Sequence, residues 1–207
     1  MSAAAATHAE AGHHDHAHHE PGFIEKYLWS TDHKMIGFQY VFTGILMALV
    51  GRFTVSAFRM QLAFPGHSVP GFGVVTPADY NSLVTNHGTI MIFWVAMPVL
   101  IAAFGNYLIP LMIGCDDMVF PRLNRLSYQI FLISAIVLLA SFFVDGGGFA
   151  GAWTAYPPLS AKSQYSMTPL GSPLWLLAVA LEFVAFLIGG INFVTTVMNS
   201  RAPGMKM

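Results

Sequence analysis

Residues 83–101 read LVTNHGTIMIFWVAMPVLI, an apolar stretch that carries the imidazole of His87. A helix needs about 20 such residues to cross a bilayer. A polar ring inside the membrane costs free energy unless a partner compensates for it, so ionisable residues at such depths are candidates for function. The stretch therefore predicts a membrane-spanning helix and singles out His87 as a candidate functional residue.

The composition of the whole chain points to the same class of protein. Hydrophobic residues make up 55% of its 207 residues and charged residues 9%, against about 25% charged in an average soluble domain. The formal net charge of −1 gives no reason to expect a nucleic-acid partner. We therefore expect an all-α protein in a lipid membrane with four transmembrane helices, at about 33–60, 80–113, 122–145 and 172–200.

Lysine and arginine cluster on one side of the predicted bundle. The opposite side has only Lys162, plus Arg59 at the end of the first helix. By the positive-inside rule the clustered side faces the cytoplasm, which places both termini there. The clustered residues are Lys26, Lys34, Arg122, Arg125, Arg201 and Lys206.

The first 22 residues contain the His-rich run HAEAGHHDHAHHE. They are too polar for a signal peptide, which needs an apolar stretch of about 7–15 residues. A His-rich tract can bind metal, but a disordered cytoplasmic tail is the simpler interpretation. Residues 1–22 are therefore predicted to be a disordered tail, and residues 23–207 to form the transmembrane domain.

His87 has two interpretations from the residues alone. It could form a hydrogen bond between helices, or it could be an axial ligand of a haem iron. Gly88 beside it would let a flat macrocycle approach the backbone. Gly44 and Gly51 are seven residues apart and so share a helix face. They could leave a slot for such a group, or they could serve close helix packing.

A second set of polar residues lies toward the predicted cytoplasmic side. Asp117 falls in the connection between the second and third helices, and three asparagines lie at a similar depth: Asn106, Asn124 and Asn192. Amides both donate and accept hydrogen bonds, so a ring of them can hold a file of water leading inward from an acid. Helix capping and bonding between helices explain the same pattern, and both interpretations stay open.

Five segments, in this order, resemble subunit I of the haem–copper terminal oxidases, of the cytochrome c oxidase type. The resemblance runs from about residue 27 to residue 205 and covers the first four helices, or about a third, of a fold that has about twelve. The segments are TDHKMIG, TNHGTIMIFWVAMPVLIAAFGNYLIPLMIG, CDDMVFPRLNRLS, GAWTAYPPL and GGINFVTTVMN.

The resemblance implies a haem site on the outer side. His87 matches an axial ligand of the low-spin haem iron, with Gly88 next to it. Arg59 matches the arginine that hydrogen-bonds the formyl group of the haem, and Tyr80 matches a tyrosine near it. The haem would be of A or B type. The outer loop residues Trp153 and Tyr156 would lie above the haems.

The resemblance also implies a proton channel on the inner side. Asp117 matches the acid at the mouth of this channel, and Asn106, Asn124 and Asn192 match its three asparagines. Ala185 and Phe186 stand where relatives often have serines that extend the file of water in this channel. Gln61 replaces an acid that contributes to a cation site in many relatives.

The implied whole enzyme oxidises cytochrome c, reduces oxygen to water and pumps protons across the cytoplasmic membrane of a bacterium. Its partners would be oxidase subunits II and III, cytochrome c and the remaining part of subunit I. Copper and the second haem would be bound in that remaining part, since His87 is the last histidine here. We therefore expect an incomplete sequence, or one piece of a split subunit, that is inactive alone.

Two other functions remain as alternatives. Quinol-using relatives have His and Gln shortly before the haem histidine, where this chain has Asp79 and Ser82, so the resemblance favours cytochrome c as the electron donor. The second alternative is a non-catalytic polytopic membrane protein in which His87 is structural.

Arg52 and Glu182 match no familiar role. Each is ionisable and lies inside a predicted helix, at a similar depth from the outer side. An unpaired charge there would cost on the order of 2.5–3.5 kcal/mol on insertion scales. We therefore predict that they pair with each other. The alternatives are a haem side group as the partner of Arg52, and a protonated, neutral Glu182, because burial disfavours the charged carboxylate.

Overall fold

A computed structural model describes residues 22–166 and 168–206, so the predicted tail lies outside the described residues except for Gly22. The described chain is built around four long helices, and each is long and apolar enough to cross a membrane. The predicted all-α class is confirmed. The helices are α1 (His33–Ala63), α2 (Pro77–Ile113), α3 (Pro121–Phe143) and α4 (Gly171–Asn199).

The smaller elements lie at the two ends of the bundle. A short helix, Phe23–Tyr27, precedes α1, and another, Ser163–Ser166, precedes α4. Between α1 and α2 a two-stranded antiparallel hairpin pairs Ser68–Val69 with Gly73–Val74. We call the end that holds the α2–α3 connection the inner end and the opposite one the outer end, after the predicted orientation.

Side-chain caps determine where α1 and α2 begin. The Asp32 carboxylate accepts hydrogen bonds from the backbone N–H groups of Lys34 and Met35, at 2.7 and 3.1 Å. In a capping box, the Thr76 side chain accepts from the backbone N–H of Asp79, and the Asp79 side chain accepts from the backbone N–H of Thr76. These contacts satisfy amide groups that a helix terminus leaves unpaired. The capping box starts α2 at Pro77, three residues before the predicted start.

The middle of α2 is a π-helix rather than an α-helix. The wider coil covers Ile90–Ala96 and Pro98–Ala103, and the N–H of Met97 bonds to the carbonyl of Ile92. Pro98 has no N–H to donate to an α-helical bond, which favours a break in the regular pattern here. Such widening is frequent at functional sites, and this one begins three residues beyond His87. The apolar pattern of the sequence predicts an ordinary helix here and gives no sign of the wider coil.

Helices α1 and α2 pack closely through glycines. A Cβ added to Gly44 would lie 2.6 Å from Val99 Cγ2, and one added to Gly51 would lie 2.8 Å from Met91 Sδ. Side chains of α2 therefore fill the space over both glycines. The suggested slot for a planar group is wrong, and the alternative, close helix packing through small residues, is correct.

The core joins all four helices through large side chains and their polar atoms. Trp94 of α2 is fully buried, and its indole N–H donates to Ser134 Oγ of α3 at 3.0 Å. Trp175 of α4 donates in the same way to Thr89 Oγ1 of α2 at 3.2 Å. Buried indole groups need such partners. These bonds tie the π-helical region of α2 to its neighbours.

Candidate functional site

His87 lies on α2 with its ring half-buried against α1. Its Nδ1–H donates to the backbone carbonyl of Gly51 at 2.9 Å. The ring also meets the Phe58 ring edge-on, with centroids 5.9 Å apart. Because a carbonyl can only accept, this bond places the proton of a neutral ring on Nδ1 and leaves the lone pair on Nε2.

The other predicted haem-side residues lie at the same outer part of the bundle as His87. Tyr80 packs edge-on against Phe58, 5.8 Å between centroids, so Tyr80 and His87 share one aromatic neighbour. Arg59 follows Phe58 directly and is exposed. The indole of Trp153 lies over Gly88, 3.5 Å from where a Cβ would be. The predicted approach to the Gly88 backbone is therefore covered by Trp153 in this chain.

The donor set at His87 fits a haem ligand. Histidines that bind a metal usually donate their other ring N–H to a backbone carbonyl or a carboxylate, which fixes the tautomer and the ring orientation. The Gly51 carbonyl supplies such a partner. Among residues 22–166 and 168–206, no group of three or more His, Cys, Asp or Glu could hold a metal ion.

Asp117 lies half-buried in the α2–α3 connection at the inner end. Its carboxylate accepts from the backbone N–H of Met118 at 2.6 Å. Burial raises the pKa of the Asp117 carboxyl above its usual 3.8, and the negative charge of Asp32 acts in the same direction. The Met118 N–H and the charge of His33 oppose that rise in pKa. A raised pKa brings a surface acid closer to the pH at which it can exchange protons.

Asn106 and His33 connect α1 to α2 near this acid. The Asn106 carbonyl lacks its usual helical partner, because Pro110 four residues later has no N–H. His33 Nδ1–H donates to it instead, at 2.8 Å, and both residues are buried. His33, which lies in the TDHKMIG segment, was not among the predicted site residues. The available signal was the proline four residues after Asn106.

The three predicted asparagines are all buried, but their side chains make different hydrogen bonds. Asn192 accepts from the Phe120 N–H at 3.0 Å and donates to the Phe120 carbonyl at 3.3 Å, so it fastens the α2–α3 connection to α4. Asn106 donates to the Ala102 carbonyl, but its side-chain oxygen has no hydrogen-bond partner in the described part of the chain. Neither side-chain polar atom of Asn124 has a partner among the described residues. Unpaired buried amides are groups that water can satisfy.

A cavity of about 50 Å³ adjoins Asn106 and reaches further into the bundle. Tyr40 of α1 and Glu182 of α4 line it, together with the apolar side chains of Ala185 and Phe186. We call Asp117, the three asparagines, Tyr40 and this cavity the inner polar path.

The predicted pairing of Arg52 with Glu182 is wrong. Arg52 is exposed, and its Nε–H donates to Ser56 Oγ one turn along the same helix, at 3.3 Å. Glu182 is 1% exposed, and its Oε2 lies 3.3 Å from Ser134 Oγ. The two side chains are at similar depths but point into different surroundings, because helix rotation as well as depth decides contact.

Comparison with known protein families matches residues 35–207 to the family described as "Cytochrome C and Quinol oxidase polypeptide I". The chain belongs to this family. It is 42% identical, over 89% of its length, to cytochrome c oxidase subunit 1 of Synechocystis, and 38% identical, over 96%, to that of Cereibacter sphaeroides. It is 41% identical, over 88%, to a haem–copper oxidase subunit I+III of Aeropyrum pernix.

The match covers only part of each relative. The chain spans 31%, 39% and 22% of the length of these three proteins, respectively. Family membership agrees with the four apolar helices and identifies the chain as part of an all-helical membrane subunit of the haem–copper oxidases.

Proposed function

We propose that this chain is part of subunit I of a cytochrome c oxidase, which oxidises cytochrome c, reduces oxygen to water and pumps protons. It would act in the cytoplasmic membrane of a bacterium with both termini inside. Oxidase subunits II and III and the rest of subunit I would complete it, with copper and a second haem in that remaining part. The names of the relatives support cytochrome c as the donor.

The geometry of His87 carries this proposal. Its Nδ1–H is held by the Gly51 carbonyl, so the Nε2 lone pair is available to the iron of a low-spin haem, which would supply electron transfer. Arg59 and Tyr80 lie on the same outer part of the bundle and would help to hold that haem. Iron ligation would offset the cost of placing an imidazole in the membrane.

The inner polar path would bring protons in from the cytoplasm. Asp117 is only half-buried, and burial raises the pKa of its carboxyl, so it can collect protons at the surface. The unpaired side-chain atoms of Asn106 and Asn124 would hold water further along. Asn192 would keep the entrance in place through its two bonds to Phe120.

Replacing His87 tests the haem site. In the assembled oxidase, His87→Ala should remove the low-spin haem absorption band and abolish oxygen consumption, because no other ligand replaces the imidazole. His87→Met, which offers a thioether, should retain haem with a changed reduction potential. The exposed His67 gives a matched control, and His67→Ala should leave the spectrum unchanged. A normal low-spin band in His87→Ala would refute the assignment.

Replacing Asp117 tests the inner polar path. Asp117→Asn should slow oxygen reduction by about 10²-fold, the low end of what a positioned proton-transfer group contributes. Reduction of the low-spin haem by cytochrome c should stay nearly normal, because the amide blocks proton collection at the inner end only. The neighbouring exposed acid is the control, and Asp116→Asn should have little effect. Equal rates in the two variants would contradict the proton-entry role.

A further inference from the structure

Glu182 is a buried acid, and no charged side chain among the described residues pairs with it. It lies in the middle of α4 with 1% of its surface exposed, and its Oε1 has no hydrogen-bond partner among the described residues. Its Oε2 lies 3.3 Å from Ser134 Oγ, which is long for an O–H···O bond. A buried ionised carboxylate normally has an ion-pair partner or several donors. The described residues supply Glu182 with neither, so its surroundings suit a neutral acid.

The hydrogen atoms around Ser134 support a neutral Glu182. Ser134 has one hydroxyl hydrogen, and its Oγ lies 2.6 Å from the Phe131 carbonyl, which can only accept. The Trp94 indole N–H donates to the same Oγ at 3.0 Å. With the hydroxyl hydrogen directed to Phe131, a hydrogen bond between Ser134 and Glu182 requires the proton to be on the carboxyl group.

The carboxyl group of Glu182 borders the cavity of the inner polar path. The cavity is about 50 Å³, and Asn106, whose side-chain oxygen is unpaired, lines it as well. A water needs roughly 10–15 Å³ of such volume, so the cavity has room for about three to five waters. Tyr40, another lining residue, contacts Ser127 Oγ at 3.1 Å, and Ser127 donates to the Asn124 carbonyl at 2.7 Å. Polar atoms therefore extend from the inner end to Glu182.

We propose that Glu182 is a proton-binding site that exchanges protons with the inner end through this cavity. On release, the O–H bond of the carboxyl group breaks and a new O–H bond forms on a cavity water. On uptake the reverse transfer occurs, and no group is oxidised or reduced. This inference rests on the proposed function, because it takes Asp117 as the point where protons enter.

The test is infrared difference spectroscopy of the assembled oxidase, reduced minus oxidised. The wild type should show the carbonyl stretch of a protonated carboxylic acid, shifted in heavy water. Glu182→Gln should lose this band and slow oxygen consumption by roughly 10²-fold. Glu25→Gln makes the same change at an exposed acid in the short helix before α1, and it should alter neither. Haem spectra check that each variant has assembled.

The outcomes separate this inference from the proposed function. If Asp117→Asn is slow and Glu182→Gln keeps the band and full turnover, protons enter at Asp117 but Glu182 does not bind them. If neither variant is slow, the inner polar path itself is wrong and the inference fails with it. If Glu182→Gln does not assemble, Ser134→Ala tests the proposal instead. It removes the contact between Ser134 and Glu182, so it should shift the carboxyl band. An unshifted band would then overturn the proposal.

Discussion

Gly51 is the position at which packing and the haem ligand are directly linked, and Gly51→Ala should perturb both. The added Cβ would lie 2.8 Å from Met91 Sδ and 3.4 Å from Ile90 Cγ2, whereas carbon atoms prefer about 3.5–4.0 Å. Met91 is flexible and half-buried, so it can move by part of this difference. Such overpacking typically costs about 1–3 kcal/mol.

The same change should move the carbonyl that orients the haem ligand. If α1 shifts away from α2, the 2.9 Å bond from His87 Nδ1 to the Gly51 carbonyl lengthens. A weaker bond makes the imidazole a poorer electron donor to iron, so the low-spin haem should shift in reduction potential. We therefore expect Gly51→Ala to lower the temperature at which the haem band is lost and to change that potential.

A double mutant and a control glycine distinguish this mechanism from general damage. Met91→Ala removes the atom that the new Cβ would meet, so it should partly rescue Gly51→Ala with a coupling of about 0.5–3 kcal/mol. At Gly190 in α4 no atom of the described residues lies within 4 Å of an added Cβ, so Gly190→Ala should be neutral or stabilising. Destabilisation by Gly51→Ala without any rescue would refute the reasoning.

Two further predictions concern the inner end. Asp32→Asn should lower the pKa of the Asp117 carboxyl, because it removes a nearby negative charge while asparagine still caps α1. A site-resolved titration of the Asp117 carboxyl measures this pKa, and an unchanged midpoint would contradict the prediction. Asn192→Ala should destabilise the fold by about 0.5–1.5 kcal/mol, since the backbone N–H of Phe120 loses its hydrogen-bond acceptor. Asn124→Ala breaks no such bond and should destabilise the fold less. The temperature at which the haem band is lost compares the two variants, and an equal decrease in both would refute the distinction.

The sequence predicts the four helices well because each must present about 20 apolar residues to lipid. The predicted start of α2 was three residues late, although Thr76, Pro77 and Asp79 together form a capping box that marks it. The π-helical middle of α2 was not. Apolar residues fill this stretch on all sides, so their spacing does not distinguish a wide coil from an ordinary helix. Its position depends on Pro98 and on packing against α1.

The candidate site was predictable in its residues but not in its contacts. His87 is conspicuous because of its depth, yet its bond to Gly51 depends on which face of α1 meets α2. The inner asparagines share a depth, but only packing decides that Asn192 is fully bonded to a loop while Asn124 has unpaired amide atoms. His33 was missed because a histidine at a predicted membrane surface is unremarkable until its partner is known.

Arg52 and Glu182 show why equal depth does not imply an ion pair. Depth follows from the rise of about 1.5 Å per residue, but the direction of a side chain depends on helix rotation, which the sequence alone does not determine. The long apolar stem of arginine lets its charge reach polar groups or the surface from a lipid-facing position. The Glu182 stem is too short for that, so a buried glutamate must find donors nearby or stay protonated. A single contact at 3.3 Å with Ser134 favours the second state. Glu182 therefore does not pair with Arg52, and the few donors around its carboxyl group are the structural reason for treating it as a proton-binding group.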